Sequence, residues 1–436
     1  MDLSVGLMTL IIFVSLAILL FSGMPIAFGL MAMGIIGIYA FLPRAIPGDA
    51  SIQAFNAVNS FTLTACTMYI FMGELLVRSR VSEMVYQSLE KILGKLPGGL
   101  LHAVIVFCAL FAAVSGSSVA TAAMIGTVAL PSMKQRRYDP KLMYGAMAAG
   151  GTLGILIPPS VIMIIYGALA GVSIAKCFFA GIIPGIILGL MFMGYVAIQV
   201  TRDPSLAPTL DLKVSWKEKF LALGGIAPVF LLAVIILGGI YMGIWTPTEA
   251  AALGCVAAII IIIAYRRMNR SMLIESLRGT LYSSSMLTMI LAGAGIISYV
   301  ISYLRIPNLL AESIVDMKLS PHMVLAAVCL IYYIMGCFIE GICMVIITVP
   351  IIFPVMMALG FDPVWFAVVL TINIEVGLIT APVGMNLYIL KGIDPEGKFE
   401  DIAMGSLPFV IIMTAMLVIL AIFPKLATWL PDVIGL

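Results

Sequence analysis

Four hydroxyl side chains, Ser115, Ser117, Ser118 and Thr121, fall within the run VSGSSVATAA at residues 114–123, between two apolar stretches. Their oxygens can surround a small hard cation, and their O–H groups can donate to a carboxylate. Small residues of this kind also let helices approach closely, and that remains the plainer alternative for the motif. A second run, GTLGILIPPS at 151–160, puts glycines and a proline pair inside an apolar segment. Proline lacks an N–H and glycine leaves helical geometry readily, so the segment predicts an unwound turn with free carbonyl oxygens. Those carbonyls suit a cation such as Na+, while the N-terminus of the half-helix that follows, where Ser160 stands, suits an anion. GLITAPVG at 377–384 repeats the device. Glu340, at the tip of MGCFIEGICM (335–344), is a carboxylate among apolar neighbours, either a ligand-binding group or an acid paired within the scaffold. Asn373 and Glu375 precede the second break and Asn386 follows it; each either orients the break or reaches a substrate.

Other polar groups have simpler readings. Asp139 and Asp362, each followed by proline, read as helix starts. Glu74 and Glu249 read as helix-end or packing groups. His102 and His322 have no metal-binding companion, and the seven cysteines all lie in apolar segments without a CxxC pair, so metal centres and disulfides are not expected. No HExxH or GxSxG occurs, which argues against an enzyme. No cofactor is expected beyond a coupling Na+.

The elements that must position these residues follow from composition. A chain of 436 residues that is 63% hydrophobic and 10% charged cannot cover its core with a polar surface. It reads as an all-α polytopic membrane protein, each apolar block long enough to cross roughly 30 Å of hydrocarbon. Spans are expected near residues 4–22, 25–42, 62–78, 175–200, 220–243, 247–265, 281–304 and 402–424. Two more, 141–170 and 363–391, should be interrupted, and 99–131 and 321–357 read as re-entrant hairpins. The first block follows an acidic residue and shows no cleavage site, so it reads as a span and not a signal peptide.

With each hairpin entering and leaving on one side, all but five of the 23 Lys and Arg fall on one face; the five are Arg44, Lys176, Arg305, Lys318 and Lys425. The positive-inside rule makes the crowded face cytoplasmic and puts both termini outside. Residues 82–93 and 306–318 carry apolar positions at helical spacing, the pattern of arms lying in the interface with membrane lipid. The near-neutral balance of charge gives no sign of a nucleic-acid partner.

Shifted by about 223 residues, the chain overlays itself in six landmarks, including YDPKLMYGAM on FDPVWFAVVL and GILIPPS on GLITAPV. Pro25 then meets Pro247, Gly116 meets Gly336, and Pro184 meets Pro408. Residues 1–200 form the first repeat, 201–219 a cytoplasmic linker and 220–436 the second repeat. Within them, 4–78 and 220–304 act as scaffold, and 99–200 and 321–424 as transport parts. Each half has an odd number of crossings, so the repeat is inverted, an architecture of secondary transporters whose two faces open in turn. A channel needs no such exchangeable gates.

Five stretches then carry a family resemblance: SGSSVATAAMIGTVALPSM, GGTLGILIPPSVIMIIYG, FFAGIIPGIILG, GIWTPTEAAALG and NIEVGLITAPVGMNLYILKG. They resemble the large membrane subunit of the tripartite ATP-independent periplasmic (TRAP) transporters. The resemblance implies an elevator-type, Na+-coupled importer of organic anions in the bacterial inner membrane. It also implies a separate small membrane subunit and a soluble periplasmic binding protein as partners. One Na+ site is implied at Ser115, Gly154, Ile157 and Pro159, and another at Gly336, Gly377, Thr380 and Val383. Ser117, Ser118, Thr121, Ser160, Glu340 and Asn386 are left as the substrate candidates. The chain departs from the family pattern at Thr121, where many members have aspartate, and at Ala381, where they have a second proline. A binding-protein-independent anion symporter or exchanger of similar architecture is the competing expectation.

Overall fold

A computed structural model of the chain describes residues 22–42, 48–208 and 215–434, with the short pieces 7–8, 11–12, 14–15 and 18–19. The span expected at 4–22 and the middle of the 201–219 linker therefore lie largely outside the described residues. Among the described residues all regular structure is helical. Seven helices among the described residues are long and apolar enough to cross a membrane: Phe61–Arg78, Ile174–Arg202, Trp216–Tyr241, Pro247–Ala264, Arg270–Tyr303, Gly341–Ala358 and Phe399–Ile422. Pro140–Leu156 and Val161–Ala170, bent by 41° at their junction, add an eighth if counted as one span.

That count differs from the ten crossings expected, one of which, at 4–22, falls largely outside the described residues and is not part of the count. Ile26–Phe41 is only 16 residues long, and Pro363–Leu378 stops short because its break runs from 379 to 384. Gly341–Ala358, expected as a hairpin arm, is by contrast long enough to span by itself. Two short helices, Asp49–Val58 and Lys425–Ile434, had no apolar run to announce them; they pack on Arg270–Tyr303 and Ile174–Arg202 respectively.

The remaining helices complete the same series twice. Val81–Leu93, Gly99–Ser115, Ser118–Gln135, Pro140–Leu156, Val161–Ala170 and Ile174–Arg202 are followed in order by Ile306–Asp316, Pro321–Gly336, Gly341–Ala358, Pro363–Leu378, Met385–Ile393 and Phe399–Ile422. Packing between the halves is reciprocal. Ile26–Phe41 lies along Arg270–Tyr303, and Pro247–Ala264 lies along Phe61–Arg78. Likewise Val161–Ala170 packs on Gly341–Ala358, and Met385–Ile393 packs on Ser118–Gln135. Even the corners match: both arms, Val81–Leu93 and Ile306–Asp316, follow an arginine in the left-handed conformation, Arg80 (φ 59°) and Arg305 (φ 54°).

The interior is built around the two helices that precede the breaks. Every residue from 142 to 156 and from 364 to 378 is buried. A helix that is apolar all round must be enclosed, and here small residues allow the enclosure. Gly145 meets the backbone of Gly405, and Gly405 meets Lys141, so a Cβ at either glycine would overlap the neighbouring helix. Trp216–Tyr241 and Pro247–Ala264 bury only a stripe and turn Phe220, Leu221, Phe230, Val256 and Ile260 outward. The arm Val81–Leu93 turns Val81, Val85, Tyr86 and Leu89 inward, against Gly99–Ser115 and Trp216–Tyr241. Gly99–Ser115, Ile174–Arg202 and Trp216–Tyr241 border an apolar cavity of about 600 Å³.

Candidate cation and anion sites at the helix breaks

Asp139 starts the first broken helix: its Oδ1 accepts from Leu142 N at 2.9 Å, with Pro140 in the first turn. The helix ends at Leu156 because Pro158 and Pro159 cannot donate and Ile157 is extended. Ser160 caps the half that follows, accepting from Met163 N at 3.3 Å. The tip of the first hairpin closes over this break. Gly116, with φ +58°, accepts from Val161 N at 3.4 Å, and a Cβ on it would lie 3.1 Å from the Pro159 carbonyl oxygen. That carbonyl is therefore approached by backbone alone, which only glycine permits.

Beside it the hydroxyls are ordered. Thr121 Oγ1 donates to Ser117 O at 2.8 Å, so the proton in its 2.7 Å contact with Ser115 comes from Ser115. Ser117 Oγ caps the second arm by accepting from Ala120 N at 3.3 Å. A Cβ at Gly154 would sit 2.6 Å from Thr121 Oγ1 and 3.0 Å from Ser117 O. The fold thus gathers Ser115, Ser117, Thr121, Gly154 and Pro159 around Gly116, while Ile157 turns its side chain onto Gly185.

The second break is assembled alike but left more open. Asp362 accepts from Val364 N and Trp365 N, each at 2.8 Å, and starts the helix that ends at Leu378. Gly336 and Gly377 cross in contact: a Cβ on the first would lie 2.6 Å from the Cα of the second, and 2.5 Å in the reverse case. Gly384 N donates to Cys337 O at 3.0 Å, and Thr380 Oγ1 donates back to Val376 O at 2.5 Å. Gly336, Gly377, Thr380 and the half-buried Val383 therefore surround one unwound turn. Ala381 and Pro382 are exposed, whereas Pro158, Pro159 and Ser160 are buried. Glu340, at the second tip, caps Gly341–Ala358: its Oε2 accepts from Ile342 N at 3.0 Å and Cys343 N at 3.4 Å.

The two halves meet through side chains at Ser118. Its hydroxyl donates to Glu375 Oε2 at 2.9 Å and accepts from Asn386 Nδ2 at 2.8 Å. Ser118 and Asn386 are fully buried and Glu375 is 1% exposed. The other oxygens, Glu375 Oε1 and Asn386 Oδ1, have no hydrogen-bond partner, and neither does Asn373 Oδ1 on the same helix as Glu375. Sequence reading selected Ser118 and Asn386 and left Glu375 open. The available signal was a carboxylate in an apolar run, which demands a donor; which donor is a tertiary matter.

Outside the spans, Asp394 joins both halves at one rim. Lys134 Nζ lies 2.5 Å from Asp394 Oδ2, and the Tyr144 hydroxyl donates to the same oxygen. Burial alone would raise the Asp394 carboxyl, but the hydrogen bonds from Lys134 and Tyr144 and the charge of Lys134 outweigh it and hold it below its ordinary 3.8. The plainer residues have plain partners. Glu249 closes a capping box with Thr246, Glu74 pairs with Arg78 at 2.7 Å, His102 Nε2 meets Pro97 O at 2.8 Å, and His322 rests edge-on to Phe361.

Residues 13–426 match the family model described as the tripartite ATP-independent periplasmic transporter, DctM component. The chain is 36% identical over 410 residues to the C4-dicarboxylate TRAP transporter large permease protein DctM of Pseudomonas aeruginosa, covering 92% of this chain and 93% of that one. It is 31% identical over 424 residues to the isethionate TRAP transporter permease protein DctMQ of Oleidesulfovibrio alaskensis, covering 95% of this chain and 65% of that longer one. Among solved structures, the YdaH transporter of Alcanivorax borkumensis aligns with a TM-score of 0.62 over 88% of each chain, at 14% identity, a likeness of fold.

Proposed function

The chain belongs to the DctM component family of the tripartite ATP-independent periplasmic transporters, and from that premise we propose that it imports an organic anion by Na+ symport through an elevator movement. It is a transporter permease and not an enzyme. The substrate class is a carboxylate such as a C4-dicarboxylate or a sugar acid, with a sulfonate as a further member; relatives are named for C4-dicarboxylate and for isethionate. A periplasmic binding protein delivers it, and a separate small membrane subunit completes the complex in the inner membrane, with both termini of this chain periplasmic.

The observation that carries this reading is that each broken helix has a hairpin tip against its unwound turn, Gly116 at Pro159 and Cys337 at Gly384. An unwound turn offers carbonyls to Na+ and a helix N-terminus to an anion, at one place that a tip can cover. The inverted repeat accounts for the reciprocal packing between the halves, and re-entrant hairpins place the tips at the level of the breaks. The hairpins, broken helices and the span after each then slide as one block against the scaffold, and the apolar cavity beside Trp216–Tyr241 offers a seam without polar bonds to break. Each Na+ entering down 100 mV contributes about 2.3 kcal/mol, so two Na+ drive uptake of a monovalent anion strongly.

Uptake into proteoliposomes containing both membrane subunits and the binding protein tests the reading. An imposed Na+ gradient should drive accumulation, and omitting the binding protein should abolish it. Uptake that persists without the binding protein favours the independent symporter or exchanger instead.

A further inference from the structure

We propose that Glu375 Oε1 and Asn386 Oδ1 form an additional cation site, separate from the carbonyl sets at the two breaks, that takes one Na+. The inference rests on the proposed import of an anion and deepens it.

It follows from counting hydrogens. Ser118 has a single hydroxyl proton, and that proton is directed to Glu375 Oε2 at 2.9 Å. The serine oxygen can then only accept, and it accepts from Asn386 Nδ2 at 2.8 Å. With its nitrogen committed to Ser118, Asn386 keeps its own oxygen without a donor, and the second oxygen of Glu375 has none either. All three residues are buried to 1% exposure or less. A buried, ionised carboxylate needs a compensating charge, and a lone buried amide oxygen needs a partner. Among the described residues, no ion pair involves Glu375. The titratable group that acts on it electrostatically is Glu340, of the same sign. The positive charge is therefore supplied by a ligand. The donors on offer are a carboxylate and an amide oxygen of two residues that the Ser118 hydroxyl ties together, the kind of set that hard cations choose over transition metals.

Such a site has a consequence for the substrate. Ser118 stands on the first hairpin's second arm, Glu375 before the second break and Asn386 after it. While Glu375 carries a bare charge, it repels an anion approaching either break. A cation on Oε1 removes that repulsion, so cation binding must precede anion binding.

The charge moved per substrate, taken from the reversal potential of uptake in proteoliposomes holding both membrane subunits with the binding protein, tests the site. Glu375→Gln should carry one positive charge fewer per substrate than wild type. The missing unit should be lost from the response to the Na+ gradient; a unit lost from the response to the pH gradient instead overturns the proposal. A Gln variant with the wild-type charge per substrate overturns the proposal. Should that variant fail to fold, Asn386→Ala removes the other oxygen and should raise the half-saturating concentration of the coupling cation about tenfold; an unchanged value overturns the proposal equally. A wild-type permease indifferent to Na+ refutes Na+ symport itself, whereas a Na+-driven wild type with an unchanged Gln variant refutes this site alone.

Discussion

The Ser118 hydroxyl donates to Glu375 Oε2 at 2.9 Å across 257 residues of chain. This bond ties the start of the first hairpin's second arm to the helix ahead of the second break. Ser118→Ala leaves a buried carboxylate oxygen without its donor, a loss of about 1–3 kcal/mol. The complex in detergent should melt at a lower temperature and its uptake should slow. An unchanged melting temperature would show that the hydroxyl adds nothing.

Gly336 and Gly377 cross where either Cβ would meet the other's backbone at 2.6 or 2.5 Å. Backbone cannot step aside as a flexible side chain can. Gly377→Ala and Gly336→Ala should each cost about 1–3 kcal/mol and open the second tip. The check is thermal unfolding together with the Na+ concentration for half-maximal uptake, which should rise. Wild-type behaviour of both would mean that the crossing is loose in the membrane.

Thr121 holds Ser115 and Ser117 O together at 2.7 and 2.8 Å. Thr121→Val keeps the shape and deletes the hydroxyl. A loss of about 1 kcal/mol is expected, with several-fold weaker Na+ dependence, read from uptake against Na+ at fixed ionic strength. If only stability moves, Thr121 serves packing and not the cation.

Asp394 should confer an acid-sensitive contribution. Its carboxyl is held below 3.8 in the folded chain by Lys134 and Tyr144. A depressed carboxyl stabilises fully above its unfolded value and loses that contribution as pH falls through the folded one. Asp394→Asn should therefore be less stable than wild type at neutral pH and converge with it as the medium is acidified. Melting curves across the acid range would reveal parallel lines if the pair were inert.

Much of this organisation was legible in sequence because membrane helices announce themselves. Pro158–Pro159 and the glycines of 377–384 marked both breaks, since a helix cannot pass through them. Asp139 and Asp362 marked helix starts through the proline that follows each. What stayed hidden was tertiary or amphipathic. Asp49–Val58 and Lys425–Ile434 lack an apolar run and take their places by packing on neighbours. Glu340 read as either a ligand-binding group or an acid paired within the scaffold, and the residues do not say that its Oε2 caps its own helix. Glu375 could be seen to need a donor, but Ser118 emerged only when both halves were folded together.

The unequal exposure of the two breaks gives the transport cycle a chemical clock. Ser160 is enclosed and Ala381 is open, while the seven native thiols are buried or half-buried. A cysteine placed at 381 should react quickly with a maleimide and one at 160 slowly. On the proposed elevator movement the two breaks exchange exposure during turnover, so the two reaction rates should move in opposite directions. Two copies of one motif, held at different settings in a single polypeptide, thus become internal references for each other.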